Sequence, residues 1–292
     1  MGYLFIFIAL ISGTLKGYCG KKISNFITTE KQSIFINSVR MMFCLLISFV
    51  ILLPEIISGS FMLDVEAIAY GTMAGITLSA FLVTWLLAVK HGAFMLISVT
   101  QMFGVVITLA CSFVVFGDPI LPRQMIAIAL LIVAVIIMAS YSTKLKGSLS
   151  VKAIILLLLC GLSSGLYDFS LKLFTHFSSS SVSTLNLFSY LVSAVVLGAI
   201  FLLCKDKNEF DAKGMLHDTV IVVIVMSICL FVNSYFKALS NNYIPPAQLY
   251  PIYQAGGLIF SALMSMLFFK EKITPRCIFG LIIAFVSILL LK

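Results

Sequence analysis

Residues 101–123 read QMFGVVITLACSFVVFGDPILPR, and residues 254–276 read QAGGLIFSALMSMLFFKEKITPR. Laid over one another at a displacement of 153 positions, they pair Gln101 with Gln254, Gly104 with Gly257, Ser112 with Ser265 and Phe116 with Phe269. The match continues through Ile120 and Ile273, Pro122-Arg123 and Pro275-Arg276, and Val133 and Val286. A long and mostly apolar unit has been written twice. Duplicated units of this kind build membrane proteins in which one copy moves against the other, so solute transport leads the functional readings.

Composition points the same way. Hydrophobic residues make up 61% of the chain and charged residues 10%, which excludes an ordinary soluble domain. The net charge of +8 would suit nucleic acid in a soluble protein, but here Lys and Arg sit between apolar runs and read as membrane-topology charge, with no nucleic-acid partner. The seven cysteines are dispersed, form no CxxC pair or ligand cluster, and read as small apolar filler. No metal or cofactor is expected. The first apolar run has no basic leader and continues into the repeated unit, so it reads as a span and not a signal peptide. Met1-Gly2 does not read as a myristoylation site, because Ile6 stands where Ser or Thr is needed.

Runs long enough to cross a bilayer, about 17–25 residues, occur ten times. The first five lie near Tyr3–Cys19, Ser33–Leu53, Val65–Val89, Ala93–Phe116 and Gln124–Ser142. The second five lie near Val151–Phe174, Ser181–Cys204, Asp218–Leu239, Ala247–Phe269 and Arg276–Leu291. Helices are the expected form, since backbone groups in lipid must pair within the segment and barrel alternation is absent. The fold class is therefore all-α integral membrane, ten helices around a central cavity. The halves are residues 1–147 and 148–292. Five is odd, so the second half enters the membrane opposite to the first and the repeats are inverted.

Each half closes with an acidic residue before its last span, Phe116-Gly117-Asp118 and Phe269-Lys270-Glu271. With the tandem five-helix halves, Gly161-Leu162-Ser163-Ser164-Gly165 in the sixth span and Pro251 early in the ninth, this resembles the drug/metabolite transporter superfamily. Within it, the chain is most similar to bacterial EamA-like carriers. Two positions depart from the pattern: Asp118 replaces the usual Glu, and Lys270 replaces the usual Gly. The resemblance implies a multi-pass secondary carrier of the bacterial inner membrane, export rather than uptake, and both termini in the cytoplasm.

Charge predicts the reverse orientation. Loops after odd-numbered spans (the odd face) carry most of the cations, Lys21, Lys22, Lys31, Lys90, Lys144, Lys146, Lys152, Lys205, Lys207, Lys213, Lys270, Lys272 and Arg276 among them. The even face holds Arg123, Lys172, Lys237 and Lys292 with Glu55, Asp64 and Glu66. The positive-inside rule then puts the odd face in the cytoplasm and both termini outside.

Ionisable residues inside spans are functional candidates by default. At a spacing of 152, Ser12 pairs with Ser164, and Lys16 with Asp168. In inverted halves these two charges lie on opposite sides of the middle, about 14 Å apart along the membrane normal at 1.5 Å per residue, too far for an ion pair. Lys16, Arg40 and Gln101 form a cationic layer toward the odd face, suited to a carboxylate or phosphate. Asp168, Gln254, Tyr250 and Tyr253, with Asn186 and Asn233, form a layer toward the even face, suited to an amine or hydroxyls. Lys16 and Arg40 are also close enough to the odd face to snorkel into headgroups, while Lys172 and Lys237 read as anchors at the even face. The fifth and tenth spans hold no ionisable residue in their cores and are assigned to lipid or to a homodimer contact.

The leading expectation is a carrier for a small polar or amphipathic metabolite, best guessed as an amino acid or similar zwitterion, with Asp168 available for proton coupling. The alternative cargo is a nucleotide-sugar, sugar-phosphate or lipid-linked sugar. A structural or sensor subunit is the alternative outside the carriers. A lipid enzyme is disfavoured: no HExxH, GxSxG or P-loop occurs, and His91, His176 and His217 all sit at loops.

Overall fold

Apolar side chains cover the outside of this protein as well as its core, and many polar ones are buried inside it. On α2 (Glu30–Ile57), Met42, Leu46, Phe49 and Val50 face outward, while Ser33, Asn37, Arg40 and Ser48 are buried. The computed structural model describes residues 1–27, 29–91, 94–117, 151–204, 212–244, 246–269 and 275–291, with short helical pieces between 121 and 137. About half of the fifth span, with Asp118, Lys144, Lys146, Lys205, Lys207, Lys270, Glu271 and Lys272, lies outside these residues.

The described residues form nine long helices. Besides α2 they are α1 (Gly2–Ser24), α3 (Val65–His91), α4 (Phe94–Phe116), α5 (Val151–Phe177), α6 (Val182–Leu203), α7 (Ala212–Ser240), α8 (Pro246–Leu267) and α9 (Pro275–Leu291). Six of them, α1, α2, α3, α5, α6 and α7, are long and apolar enough to span a membrane. Local chemistry fixes several starts. Thr29 and Gln32 form a reciprocal capping box on α2, at 3.3 and 3.2 Å, and Ser181 caps α6 by accepting from the Thr184 amide. Gly117, at φ 70°, ends α4 in the left-handed conformation that glycine adopts without strain.

The strongest packing joins the N-terminal part to the C-terminal part. Helix α1 lies along α7, α3 along α5, and α2 along α6. Helix α4 crosses α5, and α8 crosses α1 and α4. One crossing is unusually close. A methyl group added at Gly165 would sit 2.4 Å from the Gly104 carbonyl oxygen, and Thr108 Oγ1 donates to the Gly165 carbonyl at 2.9 Å. Small residues let helix backbones approach in this way.

A carboxylate clamps the two loops that meet at one end of the bundle. Asp64 caps α3 through the Ala67 amide at 2.7 Å and accepts from the Ser178 and Ser180 hydroxyls and the Ser179 amide. The loop before α3 is thereby tied to the loop between α5 and α6. Loss of water pushes the Asp64 carboxyl up, but the Ser179 amide, the Ser178 hydroxyl, the Ala67 amide and the Ser180 hydroxyl outweigh that and hold its pKa at about 2, below the ordinary 3.8.

A carboxyl held low stabilises the fold above its ordinary pKa, and that contribution fades as pH falls through the folded value. Asp64→Asn is expected to cost about 1 kcal/mol at neutral pH, the scale of a lost helix cap. Thermal unfolding in detergent should show the gap between wild type and variant closing from about pH 4 toward about pH 2. A gap that persists unchanged at the acid end would remove the charge from this account.

Candidate functional site

Between α1, α3, α4 and α8 lies a cavity of about 80 Å³. Lys16, Trp85, Gln101, Tyr253, Gln254 and Ser261 supply its larger and polar walls, and Gly13, Gly17 and Gly257 leave room for it. An ideal Cβ built on Gly257 would meet no atom within 4 Å. The structure thus brings Lys16, Gln101, Gln254 and Tyr253 to one chamber. Gln101 lies within hydrogen-bonding reach of the Cys160 thiol on α5. The Lys16 ammonium stands 5.6 Å from the centre of the Phe81 ring. Trp85 packs hard against α1, its ring within 2.4 Å of where a Cβ on Gly20 would stand.

Arg40 is not a wall of this cavity. It is fully buried on α2, and only one of its nitrogens has a partner, Nη1 donating to Asn37 Oδ1 at 3.3 Å. Nε and Nη2 have none. Burial rules out snorkelling for this side chain. Its charge is close enough to act on Lys16. Among the described residues, no carboxylate lies within ion-pair distance of either cation. One buried and one half-buried positive charge are therefore left without an anion among the described residues.

Asp168 is placed differently. It is 1% exposed and forms an ion pair with Lys237, itself 6% exposed. Three rings surround the Lys237 ammonium: Tyr253 at 4.9 Å, Tyr167 at 5.7 Å and Tyr250 at 5.9 Å to centroid. These are cation–π distances. Tyr250 also donates its hydroxyl to the Asp168 carbonyl at 3.0 Å, and Asn233 Nδ2 bridges the Ala9 carbonyl and the Tyr253 hydroxyl, each at 2.6 Å. Asn186 is buried with neither amide atom partnered.

Lys237 corrects the sequence reading, which made it a surface anchor. Its α-carbon does lie one turn from the end of α7, but helical side chains lean toward the helix N-terminus. The four-carbon stem therefore reaches inward, to Asp168, and not outward to the headgroups. The available signal was the i, i+4 pairing of Asn233 with Lys237 on one face of a span. The expected absence of a Lys16–Asp168 ion pair agrees with the structure, since Asp168 is bonded elsewhere.

The fold and site define a multi-pass helical membrane protein. Residues 151–292, the second half, match the model of the EamA-like transporter family. Comparison with curated proteins gives no match. Among solved structures, one titled only "Crystal structure of protein" superposes with a TM-score of 0.70 at 10% identity, covering 99% of this chain and 95% of that one. At that identity the likeness is one of fold.

Removing one partner of a buried ion pair leaves an uncompensated charge, typically at a cost of about 3–5 kcal/mol, while replacing both with apolar groups is near neutral. Asp168→Asn is therefore expected to lower the unfolding temperature sharply, and Asp168→Asn with Lys237→Met to recover most of the loss. Scanning calorimetry or fluorescence unfolding in one detergent checks both. An Asp168→Asn protein as stable as wild type would deny the pair its place in the fold.

Proposed function

We propose that this chain is a secondary carrier that moves a small, net-anionic metabolite by alternating access between two inverted five-helix halves. One observation carries the reading of the cargo. Arg40 is a buried cation and Lys16 a half-buried one, neither with a carboxylate at ion-pair distance among the described residues, while the only buried carboxylate described, Asp168, is already matched by Lys237. The site is left with a surplus of positive charge. A carboxylate or phosphate entering it would supply the missing partner, with a charge-assisted hydrogen bond from Lys16 and the attraction of the Arg40 charge from behind the wall. Gln101, Gln254 and Tyr253 would hold the uncharged remainder. A zwitterion is the second reading. It is weakened because the carboxylate meant for its amine is occupied.

Support for two exchanging halves comes from the packing. Swapping the N-terminal and C-terminal helices turns the α1–α7 contact into α5–α3, and α4–α5 into α8–α1; both members of each pair occur. The counterparts of Gly104 and Gly165 are Gly257 and Gly13. The first pair touches, whereas Gly257 faces open space. Two equivalent crossings, one shut and one open, are what a single conformer of an alternating-access protein requires. Closing α8 onto α1 while α4 parts from α5 would move the opening to the other face.

Gly257→Leu tests this directly. It fills open space, so stability should stay within about 0.5 kcal/mol of wild type. It would also keep α8 from closing on α1, so proteoliposomes should fail to move an anionic ligand. Lys16→Gln and Arg40→Gln should instead lose the binding itself. A freely transporting Gly257→Leu protein would overturn the exchange of crossings, whereas intact anion binding in both cation variants would overturn the reading of the cargo.

A further inference from the structure

The surroundings of the Lys237 ammonium have the makings of a binding site for a cation. Three tyrosine rings stand 4.9–5.9 Å from it, and a carboxylate completes the shell. This is the chemistry with which proteins recognise small organic ammonium ions, by ring faces and one counter-charge. Here the chain fills it with its own side chain. The shell is also within reach of the transport chamber, because Tyr253 is a wall of both. A solute in the chamber thus meets a cation subsite that is already full.

We propose that Lys237 is a specificity-determining residue: its tethered ammonium occupies the cation subsite formed by Asp168, Tyr167, Tyr250 and Tyr253, and so excludes solutes that carry an amine. The inference rests on reading the chamber as the substrate site, and it deepens that reading. The lysine does two things there. It neutralises Asp168, leaving the charge surplus to Lys16 and Arg40, and it denies an incoming ammonium both the carboxylate and the rings. Take the lysine away and the same shell becomes a receptor for an amine. Truncation to alanine keeps Cβ and deletes three carbons with the nitrogen, which is the skeleton of n-propylammonium.

The experiment is chemical complementation of purified full-length protein, read as unfolding temperature against n-propylammonium, with n-propanol as the uncharged control. Wild type should show no saturable response. Lys237→Ala should begin lower, because Asp168 is left unmatched, and should rise by about 3 °C or more with saturating n-propylammonium. It should gain nothing from n-propanol. Lys237→Ala with Asp168→Asn carries no unmatched carboxylate, so it should fold and ignore both additives. If Lys237→Ala is too unstable to purify alone, purification in n-propylammonium should yield it.

Three results would overturn the proposal. Wild type would respond as strongly as the variant; or Lys237→Ala would fail to recover in saturating n-propylammonium; or the double variant would respond as the single one does. None of these readings involves an anion, so they stand apart from the test of the cargo. Loss of the anion-binding result with complementation intact would leave the subsite standing and remove only the carrier's assigned substrate.

Discussion

A charge inside a membrane must be matched, and the ion pair between Asp168 and Lys237 is the match on which the rest of this structure turns. It joins α5 to α7, and through the tyrosine shell it also holds α8. Because Asp168 is taken, Lys16 and Arg40 have no carboxylate at ion-pair distance among the described residues. An unpaired buried guanidinium costs several kcal/mol in a soluble core and more in lipid, so its persistence calls for a partner that comes and goes. An anionic cargo is the partner proposed here.

The closed and open glycine crossings place the same chemistry on a moving frame. Gly104 against Gly165 brings α4 and α5 into backbone contact, and Asp64 ties the loops beyond them. The equivalent crossing at Gly13 and Gly257 is where the chamber lies. Under the proposed exchange, a site beside the open crossing and behind the closed one would be reached from one face only. Exchange of the two crossings would reverse that access without moving the charges far.

Much of the fold was legible in the sequence, since the displacement of 153 and the apolar runs depend only on hydrophobic periodicity and length. All nine described helices fall on expected spans. Lys16 and Gln101 were expected in one layer and Gln254 and Tyr253 in another, whereas all four line one chamber in the structure. Lys237 was misread because depth was taken from its α-carbon. A long side chain leaning back toward the helix N-terminus can bury its charge a turn deeper than its backbone. Arg40 was expected in a layer with Lys16 and Gln101 but is buried on α2 outside the chamber wall; which residues other helices bring near it is something no single helix encodes.

The most direct test of the central claim is ligand-induced thermal stabilisation of the wild-type protein across metabolites sorted by charge. Net-anionic compounds, both carboxylates and phosphates, should be the ones that raise the unfolding temperature, and Lys16→Gln or Arg40→Gln should erase the effect. Stabilisation by cationic or neutral compounds, with anions inert, would contradict a site built around unmatched positive charge.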